Sequence, residues 1–135
     1  MKRYDEYSRH LEVLKRAPQE DLTNEFIISG IVDKFFIQFE LGWKVLKGLL
    51  SYEGNIAGTT GSPREVIKAS YSCFDFLDES VWLLMLRERN DSAHIYDENA
   101  AKKLVQKILH EYIHAFEKMQ LGIMETYKDE LKDIA

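Results

Sequence analysis

The sequence predicts an all-α fold, an up-and-down antiparallel helical bundle of about five helices, and three observations carry that prediction. Every long segment places its apolar residues three or four apart, the period of a helix with one buried face. Only two prolines and seven glycines punctuate the 135 residues, so long uninterrupted elements are possible. Side chains able to cap a helix start stand where new apolar periods begin, at Asn24, Ser62, Asp78 or Ser80, and Asp97.

Tyr4, Tyr7, Leu11 and Leu14 give a short amphipathic first helix that stops before Pro18. Asn24 caps a long second helix. Its apolar positions Ile28, Ile31, Phe35, Phe39, Trp43, Leu46 and Leu50 step by three or four throughout. Val32, Phe36 and Leu49 widen that stripe, which predicts burial on two sides, in the bundle and against a second subunit. Gly54 to Gly61 reads as the flexible loop. Ser62-Pro63-Arg64-Glu65 is a strong helix start, with Ser as cap, Pro at the first position and Glu closing the capping box. That third helix runs to about Cys73. A fourth begins at Asp78 or Ser80 and carries Val81, Trp82, Met85 and Leu86. A fifth, capped by Asp97, presents Leu104, Ile108, Tyr112, Ala115, Met119 and Ile123.

This length fits one domain over residues 1–135, with room for a real core. A net charge of −5 argues against bulk capture of nucleic acid on a basic face, while leaving room for a small basic site. A single cysteine, Cys73, excludes an internal disulfide and fits a reducing compartment. No apolar run reaches membrane-spanning length, and the N-terminus is charged rather than signal-like. The expectation is a cytoplasmic protein that does not enter a membrane.

The chemistry concentrates in Arg89-Asn90-Asp91-Ser92-Ala93-His94-Ile95-Tyr96, placed where one helix ends before the next begins. Cleaving an RNA phosphodiester without metal requires proton transfers at two oxygens and a counter-charge for the phosphorane. Histidine suits the proton roles because its ordinary pKa is ~6.5. Arginine is always ionised and fork-shaped for phosphate oxygens. Asn90 and Tyr96 supply neutral hydrogen bonds. On a regular helix, Arg89 and His94 would lie roughly 140° apart, so they converge only if the helix ends between them or two chains share the site. Acid and base roles need two groups, which a symmetric dimer would supply. The alternative is a surface cation, a histidine at a helix end and a core tyrosine.

Five segments also resemble a known family. They are Phe39-Glu40-Leu41-Gly42-Trp43-Lys44-Val45-Leu46-Lys47, Glu53-Gly54, Ser62-Pro63-Arg64-Glu65-Val66-Ile67-Lys68, Trp82-Leu83 with Met85-Leu86, and Arg89-Asn90 with His94 and Tyr96. In that order the chain resembles the nucleotidyltransferase substrate-binding-like proteins of the HEPN superfamily. The resemblance implies a HEPN-like bundle with a four-helix core, a homodimer, and a separately encoded minimal nucleotidyltransferase as partner in a toxin–antitoxin pair. In toxin-like members it implies a metal-independent endoribonuclease. Arg89 and His94 would be catalytic, Asn90 supporting, and Tyr96 the hydroxyl that the partner modifies with AMP. Other members imply a non-catalytic subunit that binds the nucleotide substrate of a two-component nucleotidyltransferase. RNA or a nucleotide is therefore the expected ligand, with no cofactor or metal.

Other signals read as packing. His110-Glu111-Tyr112-Ile113-His114 matches a zinc-protease helix pattern, but no third ligand follows it. Phe26, Phe35, Phe36, Phe39 and Trp43 read as core or interface, and Cys73 as a small buried hydrophobe. Glu40 and Lys44 read as an ordinary i,i+4 pair, conspicuous on so apolar a helix. Lys102, Lys103 and Lys107 are candidates to line the motif with positive charge.

Overall fold

The structure, a computed structural model, describes residues 1–91 and 97–135. His94 and Tyr96 lie outside the described residues. Among the described residues the fold is helical without strands, as the apolar periodicity predicts. The helices are α1 (Lys2–Leu14), α2 (Glu25–Tyr52), α3 (Ala57–Thr60), α4 (Pro63–Cys73), α5 (Glu79–Asn90), α6 (Glu98–Lys107) and α7 (Ile113–Tyr127). A single π turn, Ile108–Tyr112, joins α6 to α7.

The starts form where the capping residues predict. Asn24 Oδ1 accepts from the amides of Phe26 and Ile27 at 2.9 and 3.3 Å. Ser62 Oγ caps α4, accepting from the Glu65 amide at 3.4 Å and donating to Glu65 Oε1 at 2.9 Å. Asp78 rather than Ser80 caps α5, accepting from the Val81 amide at 3.3 Å. Asp97 caps α6 through the amides of Asn99 and Ala100. At the end of α2, Gly54 adopts a positive φ of 76°, and the Asn55 amide donates back to the Leu50 carbonyl. The segment expected to be a loop holds one helical turn, α3. Asn55 Oδ1 caps it through the Ala57 amide at 3.0 Å.

Buried side chains form one contiguous apolar cluster drawn from α1, α2, α4, α5, α6 and α7. Cross-links fix the directions. Gln38, fully buried on α2, donates to the Tyr7 carbonyl at 3.0 Å and meets His10 Nδ1 at 2.6 Å. Tyr4 and Tyr7 donate to the carbonyls of Gln120 and Phe116 at 2.9 and 2.7 Å. The Met1 amine donates to the Leu131 carbonyl. These pairs set α1 antiparallel to both α2 and α7. Phe35 stacks on Tyr112 with ring centroids 5.1 Å apart, at the π turn.

The wide stripe on α2 is used within the bundle. Its helix packs against α1, α3, α4, α5 and α6, so Val32 and Leu49 are buried without a second subunit. Phe26, read as core or interface, is not in the core, and Cys73, read as buried, is exposed. Phe26, in the first turn of α2, is 87% exposed because it precedes the packed length of the helix. Cys73 is exposed at the end of α4, with Asn55 Nδ2 3.5 Å from its sulfur. No helix among the described residues is long and apolar enough to cross a membrane.

Candidate functional site

The position of α5 on α2 is set by one glycine. A Cβ on Gly42 would stand 2.7 Å from the Trp82 ring and 3.2 Å from Tyr7. Its absence lets the fully buried Trp82 lie against α2, where it also meets Phe39 at 5.8 Å and Phe116 edge-on at 5.5 Å. Two turns further along α5, Arg89 Nε meets Glu40 Oε1 at 2.7 Å. The other oxygen of Glu40 accepts from the Trp43 indole at 2.9 Å. Glu40 is thus a tertiary anchor, and its i,i+4 neighbour Lys44 is not its partner. Charge-assisted bonds of this kind are short and hold geometry well.

The helix bearing Arg89 ends at Asn90, with Asp91 as its cap residue. Regular-helix geometry therefore stops one residue beyond Arg89. Arg89 Nη1 and Asn90 Oδ1 lie 3.5 Å apart, too long for a strong bond. Beneath this end, Lys107 Nζ approaches Glu88 Oε1 at 3.7 Å, and the π turn packs against α5. Single π turns often accompany functional sites. The phenol of Tyr112, in that turn, is pushed up to about 12, first by burial and then by the nearby Glu88 and Glu111 carboxylates. Its hydroxyl has no hydrogen-bond partner among the described residues.

Between the start of α4 and the second half of α5 lies a groove of about 820 Å³. Arg64 enters it from α4, and Arg87, Arg89 and Asn90 from α5. Ser62 and Ser80 add hydroxyls, while Pro63, Leu83, Leu84 and Leu86 form apolar wall. Arg64 and Arg87 are exposed and have no carboxylate within ion-pair distance among the described residues. The α4 N-terminus contributes its partial positive charge on the same side. Three guanidinium groups over an apolar wall suit a ligand with phosphate at one end and a ring at the other.

A family model described as nucleotidyltransferase substrate binding protein like matches residues 2–125. The chain belongs to that family. No curated protein gives a match. The family match runs from α1 through nearly all of α7, so it includes both helices that frame the groove.

Of the residues singled out in this family member's sequence, the structure brings Arg89 and Asn90 into the groove. His94 and Tyr96 lie outside the described residues. Lys102 pairs with Glu98 at 3.3 Å and Lys107 with Glu88 at 3.7 Å, and Lys103 is exposed; none of the three is among the residues lining the groove, and the motif they were expected to line lies mostly outside the described residues. Arg64 and Arg87 were not legible as site residues, because nothing in sequence tells that α4 begins beside the end of α5. The Arg87-Glu88-Arg89 run beside a helix end was the available signal. His110 and His114 are exposed, His110 meeting Gln106 Oε1 at 3.2 Å. Among the described residues no group of three or more ligating side chains is placed to hold a metal ion.

Proposed function

We propose that this chain is the substrate-binding partner of a separately encoded minimal nucleotidyltransferase, and that the α4–α5 groove receives the phosphate-bearing substrate. The observation that carries this reading is the convergence of Arg64, Arg87 and Arg89 on one apolar-walled groove of an otherwise acidic protein. Guanidinium forks grip phosphate oxygens in pairs, and the serine hydroxyls and Asn90 add directional bonds. Family membership supports the partner. Calorimetric titration with ATP as the probe tests the groove. The wild-type chain should bind, and the Arg64→Gln/Arg87→Gln variant should bind at least about tenfold more weakly, the loss of charge-assisted hydrogen bonds. Equal affinity in both would remove the groove from the account.

A second reading is a toxin-like, metal-independent endoribonuclease formed by a homodimer in the cytoplasm. It is favoured by the end of α5 at Asn90, one residue beyond Arg89. Here Arg89 holds phosphate charge, His94 transfers protons, Asn90 supports, and Tyr96 is the hydroxyl that the transferase silences with AMP. A shared site makes a specific prediction. Arg89→Gln and His94→Ala chains should each fail to cut RNA in the presence of EDTA. An excess of the His94→Ala chain mixed with wild-type chains should extinguish most of the wild-type activity, because each mixed dimer lacks one of the two histidines that the acid and base roles need. Cutting by the His94→Ala chain alone would end this reading.

A further inference from the structure

A second basic depression lies beside the groove, between α1, the C-terminal half of α2 and α3. Arg3, Lys44 and Lys47 supply three cations, and Trp43, Ser51 and Gly58 complete its wall. No carboxylate is among the residues that line it. We propose that this depression is a second anion subsite, taking a further phosphate of the same ligand whose first phosphate sits in the α4–α5 groove. The spanning part of the claim rests on the groove reading. The subsite itself rests on its own residues.

Three features build it. The Trp43 ring is fixed by its indole bond to Glu40, and Lys47 Nζ stands 5.8 Å from the ring centroid. A cation held over an aromatic face keeps its charge while its hydration is reduced. The wall is closed by a backbone approach that only glycine allows. A Cβ on Gly58 would meet the Ser51 backbone nitrogen at 2.2 Å, so α3 presses directly on the end of α2. The volume, about 340 Å³, admits a phosphate group with its ester substituent.

Adjacency to the groove follows from Glu40. One of its oxygens holds Arg89, which lines the groove, and the other holds Trp43, which lines the depression. A single carboxylate is thus the partition between two cationic hollows. It neutralises part of Arg89 on one side and leaves Lys44, Lys47 and Arg3 facing the other. Consecutive phosphates, whether of a nucleoside polyphosphate or of a short single strand, offer two linked anions to such a pair of sites.

The two tryptophans give a direct readout by NMR. Trp43 lines the depression, whereas Trp82 is fully buried and serves as the internal reference. Inorganic phosphate, a single anion that cannot bridge the two hollows, added against chloride at equal ionic strength, should move the Trp43 indole N–H signal saturably and leave that of Trp82 in place. The Lys44→Gln/Lys47→Gln variant should raise the half-saturating concentration by about tenfold. The Arg64→Gln/Arg87→Gln variant should leave it within about twofold, which separates this subsite from the groove. Tripolyphosphate and a trinucleotide, run in parallel, distinguish the two sources of consecutive phosphates by which moves Trp43 and Arg89 signals together. A Trp43 signal that ignores inorganic phosphate would overturn the subsite. So would a response lost with Arg64 and Arg87 but kept without Lys44 and Lys47. Amide spectra of both variants show whether the fold is retained.

Discussion

Two buried tyrosines show how differently one hydroxyl can act. Tyr7 donates to the Phe116 carbonyl at 2.7 Å and so ties α1 to α7. Tyr112 is equally buried, but its hydroxyl has no partner among the described residues. Tyr7→Phe should destabilise by about 1 kcal/mol, the net worth of a typical hydrogen bond. Tyr112→Phe should be neutral or stabilising at pH 7, because it removes an unsatisfied polar group. Denaturant unfolding of the two variants checks the contrast. The pH dependence follows from the phenol of Tyr112, whose pKa burial raises from the ordinary 10.0 to about 12. Between those values the unfolded chain ionises this phenol and the folded chain does not. Stability from this group is therefore full below pH 10 and falls as pH climbs toward 12, a loss that Tyr112→Phe should lessen. Sequence could mark both residues as core by their spacing. It could not say which hydroxyl finds a carbonyl, since that depends on where a distant helix places its backbone.

At the scale of elements, Gly42 decides how α5 lies on α2. Helix propensity alone says that Gly42→Ala should stabilise by about 1 kcal/mol. Packing says the reverse. The new methyl would stand 2.7 Å from the ring of a fully buried tryptophan that has nowhere to retreat. Overpacking of this kind costs about 1–3 kcal/mol, so it should win. Gly42→Ala should lower the unfolding midpoint, and by shifting Trp82 it should also weaken whatever Arg89 holds. A midpoint raised by the substitution would mean that α5 is not seated on this glycine. Much at this scale was legible beforehand. Asn24, Ser62 and Asp97 start their helices as capping chemistry predicts, and Asp78 resolves the one ambiguity. Less was legible where contacts rather than local preference decide. Helix α3 exists because Gly58 can touch the Ser51 backbone. The π turn at Ile108–Tyr112 leaves the apolar spacing of its helix almost unchanged, so periodicity could not reveal it. Glu40 stood out on an apolar helix, yet its true partner lies 49 positions away on α5.

For the whole molecule, the segments that resemble the family turn out to be parts of one device. The Phe39–Lys47 stretch of α2 supplies the seat for Trp82, the carboxylate for Arg89 and the wall of the second depression. The Ser62–Arg64 stretch starts α4 beside the end of α5 and brings a guanidinium into the groove. An acidic protein thereby concentrates positive charge in one place, which favours a small phosphate-bearing ligand over bulk nucleic acid. The central claim is that this concentration is a binding site. Its most direct test is the ATP titration by calorimetry, comparing the wild-type chain with Arg64→Gln/Arg87→Gln at one salt concentration. The account predicts saturable one-site binding that the double substitution weakens at least about tenfold. Unchanged affinity, or no binding by the wild-type chain to ATP or to any other phosphate-bearing probe, would contradict it.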